Sequence, residues 1–484
     1  MRSLEPPVPL KVKLAFALGG LANGVLSGVV YASITFFYNA KLGLDETLLG
    51  YAWLLFMVWN AVNDPILGWL MDNSKSKLGR RVPFIRYGAP LYGLTFALCY
   101  LPVAPLNDQT ALFVNFLLVM AAFDTMFSLI GTCYFALPNE LAITAERRAE
   151  VAVFGSVFGL LGILVTFALP TVLLTGYEQG THPFFLPAMV ITGAACAATL
   201  WGTSYFLREN KFAVLQEPEG LWESIVNTVK DPEHRRSLIP WMVVSFSMTL
   251  LGTILTTGIF YYVDYVVVDQ LYLDGGELNL LAVGPLFAAG LLGIAVGIAF
   301  NLRALPLWGP KRVMRVNFLL VTGGFLALFA TGRQLGASVG PIGVLLFGYS
   351  GALVSFPALM GDVIDHDELV TGRRREGTYG GFNAIITKPA VSLANWAFLS
   401  VIGAFGFVRP VLENGAAVKQ PQPDSAITGI LFSLTVIPAF FTALSVVVMR
   451  WYDLSGPGWV EKKKAIIALH AKKERDYLEF FRQA

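Results

Sequence analysis

Charge is what this chain lacks most. Asp, Glu, Lys and Arg make up 14% of its 484 residues, and there are only 4 histidines. A soluble domain carries about 25% charged residues, so this composition cannot clothe the globular domains that such a length would otherwise suggest. The same scarcity excludes a disordered chain, a coiled coil and a nucleic-acid binder, all of which need dense charge. Cysteine is equally sparse. Cys99, Cys133 and Cys196 lie singly inside apolar runs, with no pairing pattern and no metal-ligand spacing, and read as small buried hydrophobes. No Gly-rich phosphate loop closing on Lys-Ser or Lys-Thr occurs, which excludes ATP as a driving force.

What the chain has is long apolar runs. Residues of the AVILMFWYC set make up 55%, and mean hydropathy is +0.62. Twelve runs recur, at 12–39, 47–71, 84–105, 111–136, 151–176, 183–206, 238–263, 279–301, 316–332, 340–361, 377–405 and 426–450. Each is near or above the ~20 residues a helix needs to cross the hydrocarbon core. The ten-residue alternation of barrel strands is absent. The expected fold class is an all-α membrane protein with 12 transmembrane helices, multi-pass in the cell (inner) membrane.

Lysine and arginine set the expected orientation. With the N-terminus inside, the outer loops hold only Lys41, Arg333, Arg409 and Lys419; Lys388 lies within a span, and the other 30 of 35 basic residues fall inside. Both termini are therefore expected in the cytoplasm. No signal peptide is expected, because residues 1–10 are polar and the first apolar run is too long for one.

The charged loops repeat. Asp72 through Arg80-Arg81 follows span 2, and Gly309-Pro-Lys-Arg312 follows span 8. Asn139-Glu140 through Arg147-Arg148 follows span 4, and Asp362 through Arg375 follows span 10. The two offsets are nearly equal, which predicts two six-helix halves, 1–207 and 238–452, joined by a cytoplasmic linker at 208–237 and followed by a basic tail at 453–484. Leu221, Ile225 and Val229 predict a short amphipathic helix in the linker. The lysines at 462–464 and 472–473 read as a surface segment attracted to anionic lipid.

Ionisable residues deep in a span cost about 2.5–3.5 kcal/mol on insertion scales, so each needs a reason. Lys388 lies about 16 Å into span 11 at 1.5 Å per residue, too deep for its stem to snorkel easily. Asp124 is near the middle of span 4, and Asp64 is about 12 Å from the end of span 2. The bland alternative is a structural ion pair between helices. Polar residues surround all three at helical spacing. Asn60, Asn63 and Asp64 share one face of span 2, as do Asn383, Thr387 and Lys388 in span 11. Asn23, Ser27 and Tyr31 form a stripe on span 1, and span 7 offers threonines followed by Tyr261 and Tyr262. Such stripes also serve as glue between helices. The amides beside Asp64 suit a small hard cation, and Pro65 would free carbonyls nearby. The acidic and basic residues of the inner loops, Asp72, Arg80, Arg81, Glu140, Arg148, Asp362 and Arg375, suit ion pairs that lock one side of a carrier and break as the other side closes.

Asn60-Ala-Val-Asn63-Asp64-Pro65-Ile-Leu-Gly-Trp69, followed by Asp72…Gly79-Arg80-Arg81, resembles the span-2 signature of the glycoside–pentoside–hexuronide:cation symporters. Asp362-Val-Ile-Asp365 through Thr371-Gly-Arg-Arg-Arg-Glu376, leading to Lys388, and Leu137-Pro-Asn-Glu140 with Arg147-Arg148 resemble it too. The resemblance covers all twelve spans. It implies the major facilitator fold, alternating access and cation-coupled uptake of a sugar or related solute. The melibiose carrier of that family has an aspartate where Asn60 stands, a threonine near Ser128, and aspartates at Gly24 and Gly131, so a melibiose-like galactoside is not implied. A Thr-Lys pair like Thr387-Lys388 faces an anionic headgroup in the animal lysophosphatidylcholine carrier of the same family.

The expectation is thus a secondary active symporter and not an enzyme; Leu359-Met-Gly-Asp362 lacks the first glycine of an intramembrane aspartyl protease motif. Cation binding is assigned to Asp64, Asn60, Asn63 and Ser128. Substrate binding falls to Lys388, Asp124, Asn23, Tyr31, Thr387, Asn383, Tyr261 and Tyr262. No cofactor or resident metal is expected. The coupling ion is H⁺ in preference to Na⁺ at Asp64, because one carboxylate beside Lys388 leaves little net charge to hold sodium. Expected partners are a small sugar-like or amphiphilic solute and membrane lipid, with the chain a monomer. A lysophospholipid carrier and a non-transporting sensor are the alternatives.

Overall fold

In hydrocarbon every backbone N–H and C=O must be paired within the segment, so long apolar runs fold as helices. The computed structural model describes residues 8–72, 81–101, 103–141, 145–207, 232–271, 280–371, 376–413 and 416–466, with Ser74, Ser76, Leu78 and Ala468. The long helices are α1 (Leu10–Phe36), α2 (Glu46–Asp72), α3 (Val82–Cys99), α4 (Gln109–Leu141), α5 (Ala145–Leu174), α6 (Phe185–Thr203), α7 (Pro232–Tyr261), α8 (Leu280–Thr331), α9 (Leu335–Thr371), α10 (Glu376–Ala404) and α11 (Asp424–Val448). Gly309 breaks α8 at φ +73°, so its 52 residues are two crossings in one element. Those two arms and the ten other helices are the twelve spans. The linker helix expected near 221–229 lies outside the described residues.

Three departures from the apolar pattern have local causes. The third run extends to 105, but α3 stops at Cys99 because Pro102 and Pro105 follow and bias the chain away from helix. Helices α4 and α9 run on past their apolar runs to Leu141 and Thr371, so the charged motifs at 139–140 and 362–365 are helical. Two five-residue π-helical turns, Phe37–Lys41 and Tyr262–Val266, extend α1 and α7. A small antiparallel ribbon also forms between β1 (Val411–Glu413) and β2 (Ala416–Val418), with Leu412 opposite Ala417.

The chain divides into two compact units that do not follow chain order. The first holds residues 1–217, 253–276 and 391–434. In it α1 packs on α5 and α6, and α3 packs on α4 and α6. Without a hydrophobic force between helices in lipid, close packing relies on small residues. A Cβ on Gly93 would lie 2.5 Å from the carbonyl oxygen of Gly193, and one on Gly28 would lie 2.3 Å from the Thr166 hydroxyl. On α5 the side chains of Val157, Leu160, Leu161, Ile163 and Leu164 are exposed, as a lipid-facing surface requires.

The second unit holds residues 218–252, 277–390 and 435–484. The two arms of α8 pack on α9, where a Cβ on Gly293 would lie 2.6 Å from the Gly343 carbonyl oxygen. Across the Gly309 break, the amide nitrogen of Asn317 donates to Asn301 Oδ1 at 2.7 Å. The unit's core gathers Trp241, Met314, Phe318, Leu359, Val363, Tyr379, Tyr452 and Trp459.

Candidate functional site

Asp124 is fully buried in the middle of α4. An isolated carboxylate there would cost many kcal/mol, and three neighbours answer that cost. Tyr31 of α1 donates its hydroxyl to Oδ1 at 2.7 Å. Asn63 of α2 donates its amide to Oδ2 at 3.2 Å. Asn60, one helical turn earlier, turns its amide to the same carboxylate; taken with the nitrogen inward, the orientation that satisfies both groups, it donates to Oδ2 at 2.6 Å and Oδ1 at 3.1 Å. Asn60 and Asn63 meet the same carboxylate because residues three apart share a helix face. Phe123 and Phe127 flank Asp124 on α4 and hold the Tyr31 ring edge-on, at 6.1 and 5.5 Å. Sequence aims the hydroxyl, and packing fixes it.

Ser128 is buried one turn beyond Asp124 on the same helix, and Asp64 follows Asn63, half-buried. Residues that the sequence divides between a cation group (Asn60, Asn63) and a substrate group (Tyr31, Asp124) thus converge on one carboxylate. Asn23 lies two turns before Tyr31 on α1; its Oδ1 is enclosed and has no hydrogen-bond partner among the described residues.

In the second unit, Lys388 is half-buried in mid-α10. Ser245 of α7 donates to Asn383 Oδ1. Thr387 turns its hydroxyl back to the Asn383 carbonyl at 3.0 Å. The buried rings of Trp241 and Tyr379 stand edge to face, 6.4 Å apart.

Tyr261 and Tyr262 are both buried. Tyr261 donates to Asn39 Oδ1 at 2.9 Å and packs against Phe36 and Phe398, each at 5.0 Å. Close by in the same unit, Asn395 Oδ1 accepts from both Thr35 and Thr257, and Thr35 accepts from Trp53 Nε1. A buried polar knot therefore joins α1, α2, α7 and α10. Next to it, Asp264 pairs with Lys41 and Lys419. Sequence reasoning missed this trio. Lys41 and Lys419 count as ordinary loop charges in the sequence, and Asp264 lies one residue beyond the seventh apolar run.

Of the expected gating residues, Arg80 and Arg375 lie outside the described residues, as do the side chains of Asp72, Glu140 and Arg148. Arg81 rests its guanidinium against Met71 Sδ at 3.8 Å. Asp362 is buried and pairs with Lys463 from a helix over residues 457–466. Trp459 and Ile466 of that helix are buried in the unit's core. The lipid-attracted reading of the lysines at 462–464 therefore needs correction for Lys463, which turns inward to a carboxylate; Lys462 and Lys464 are exposed. Just beyond α11, burial pushes the Tyr452 hydroxyl well above its ordinary range, and it donates to the Leu359 carbonyl oxygen.

Twelve apolar helices with polar side chains buried in mid-span define a multi-pass membrane transporter of major facilitator fold. The solved D-xylose–proton symporter shares that fold at a TM-score of 0.62 and 15% identity, over 91% of this chain and 96% of that one. The model of the family described as MFS/sugar transport protein matches residues 15–456, and the chain belongs to that family, the glycoside–pentoside–hexuronide:cation symporters. It is 23% identical to an uncharacterized symporter of Synechocystis sp., over 92% of this chain and 94% of that protein. It is 22% identical to the lactose permease of Lactobacillus helveticus, over 90% of this chain and 68% of that protein. Cation-coupled transport of small sugar-like solutes is the activity of this family.

Proposed function

We propose that this chain couples the entry of a proton to the uptake of a sugar, glycoside or related organic solute by alternating access. On this reading it works as a monomer of two six-helix halves, 1–207 and 238–452, in the cell's inner membrane with both termini in the cytoplasm. The observation that carries the reading is Asp124, fully buried and yet hydrogen-bonded by Tyr31, Asn60 and Asn63. A protein keeps such a carboxylate in a membrane when it serves a solute or ion path. Two carboxylates, Asp124 and Asp64, serve that path. Two carboxylates on one path repel unless a cation or a proton offsets the charge of one of them.

The donors that crowd Asp124 favour a proton over sodium. Sodium requires converging oxygen acceptors, whereas Asn63, Asn60 and Tyr31 turn donors toward this carboxylate. Asp124 is then the standing anion and Asp64 the group that takes and releases the proton. Lys388, with Thr387 and Asn383, supplies the solute contact, and its cation suits an oxygen-rich or anionic solute. The relative named lactose permease supports a glycoside.

Purified protein in proteoliposomes, given sugars, uronates and lysolipids in turn, tests this reading. Accumulation of a sugar or uronate under an imposed pH gradient without sodium supports it. Strict sodium dependence at constant pH would move the ion assignment to a sodium site built from Asp64, Asn60, Asn63 and Ser128. Movement of lysolipid alone would make the chain a lipid carrier, and binding without accumulation would make it a sensor.

A further inference from the structure

The trio of Lys41, Asp264 and Lys419 has no place in the function just proposed. All three belong to the first compact unit. Asp264 is wholly buried; Lys41 Nζ meets its Oδ2 at 3.0 Å, and Lys419 Nζ lies 3.5 Å from Oδ1. The backbone N–H of Gly176 donates to Oδ1 at 2.8 Å. Lys41 also reaches the Tyr177 carbonyl at 3.3 Å, and Lys419 donates to the Asp264 carbonyl. Phe36 lies under the Lys41 ammonium at 5.4 Å, and Tyr265 lies under that of Lys419 at 4.6 Å.

Four chain segments meet on this one carboxylate: the ends of α1 and α7, the loop after α5 and the ribbon before α11. The two loops pair as strands do. Gly180 N–H donates to the Ala417 carbonyl at 3.0 Å, and Lys419 N–H donates to the Glu178 carbonyl at 2.8 Å.

Two physical arguments make this a device and not a staple. First, a buried ion pair contributes little net stability, because desolvation offsets attraction, and its best-attested use is to fix register or switch between states. Here the balance is worse than for a pair, since two lysines share one aspartate. Water entering the site would rehydrate an excess cation, so the closed arrangement holds only while all four segments are in register. Second, both helical partners sit in π-helical turns, Phe37–Lys41 and Tyr262–Val266. Such turns are rare and are found frequently at functional positions. The first and seventh spans therefore each end in a turn that can re-wind and carry its charge away.

We propose that Lys41, Asp264 and Lys419 form a latch that holds the Lys41 end of the carrier shut, and that must open in every transport cycle. The proposal rests on alternating access, but its test needs neither a solute nor a known orientation. A single cysteine replaces Ala40, which is buried beside Lys41, in a chain whose Cys99, Cys133 and Cys196 are changed to alanine. The purified full chain in detergent is treated with a water-soluble maleimide. The parent should label slowly. Asp264→Asn and Lys41→Gln should each speed labelling at least about tenfold, and the double variant should be no faster than either, because the pair acts as a unit. The charge swap Lys41→Asp with Asp264→Lys should slow labelling again relative to either single change. Labelling within about twofold of the parent in Asp264→Asn, or additive effects in the double variant, would overturn the latch whatever happens to thermal stability. If Asp264→Asn does not fold, Lys419→Gln, which alters the most exposed of the three, should still speed labelling about threefold, and no change there would equally overturn it.

Discussion

Tyr31 of the first span gives its hydroxyl hydrogen to Asp124 of the fourth across 2.7 Å, with the ring wedged against Phe123 and Phe127. Ninety-three residues separate the two in sequence. The pair fixes where the buried carboxylate of the fourth span sits, and the proposed roles of its neighbours are argued from it.

Tyr31→Phe keeps the ring and removes the donor. Hydrogen bonds to charged groups are worth about 1.5–3 kcal/mol, so uptake should fall roughly tenfold or more and the thermal midpoint should drop by several degrees. Initial uptake rates and a melting curve check both. Unchanged rates would remove Tyr31 from the site.

Asp64→Asn should abolish accumulation driven by a pH gradient and leave solute exchange partly intact, because exchange needs no net proton movement. Asp124→Asn should instead impair both, since it removes the carboxylate, proposed as the standing anion, to which Tyr31, Asn60 and Asn63 donate. Parallel accumulation and counterflow assays separate the two roles. Equal loss of both activities in Asp64→Asn would contradict them.

Lys388→Ala should insert and fold but accumulate no solute, because the cation proposed to meet the solute is gone. Expression level, monodispersity and uptake measured together decide this. Near-normal accumulation would sink the assignment.

Lys463→Ala strips a buried carboxylate of its partner. Removing one member of a buried pair costs about 3–5 kcal/mol, but the Lys463 side chain is 42% exposed, so solvent screening should reduce this to about 1–2 kcal/mol. Adding Asp362→Asn should restore most of the loss. Backbone hydrogen exchange over 457–466 should rise in Lys463→Ala and fall back in the double variant.

Gly93→Val should prevent α3 and α6 from closing, because its Cβ would lie 2.5 Å from the Gly193 carbonyl. Overpacking of this kind typically costs about 1–3 kcal/mol, and backbone, unlike a side chain, cannot swing aside. Yield and thermal midpoint should both fall, and neither should change for valine at the open position Gly24.

The twelve spans were legible in the sequence because hydrocarbon imposes one rule on every residue of a crossing, and a rule applied residue by residue leaves a linear trace. The face carrying Asn60 and Asn63 was legible for the same reason, since helical spacing is local. The mid-helix positions of Asp124 and Lys388 were legible by counting.

What could not be read was which spans meet. That Tyr31 and both amides converge on Asp124, that Lys463 leaves the lipid surface for Asp362, and that Lys41, Asp264 and Lys419 close on one another are decided by packing between distant segments. Lys41 and Asp264 are 223 residues apart, and nothing in the residues around either one names the other. Periodicity fixes the direction a side chain faces, and close packing of small residues such as Gly28 and Gly93 fixes what it finds there.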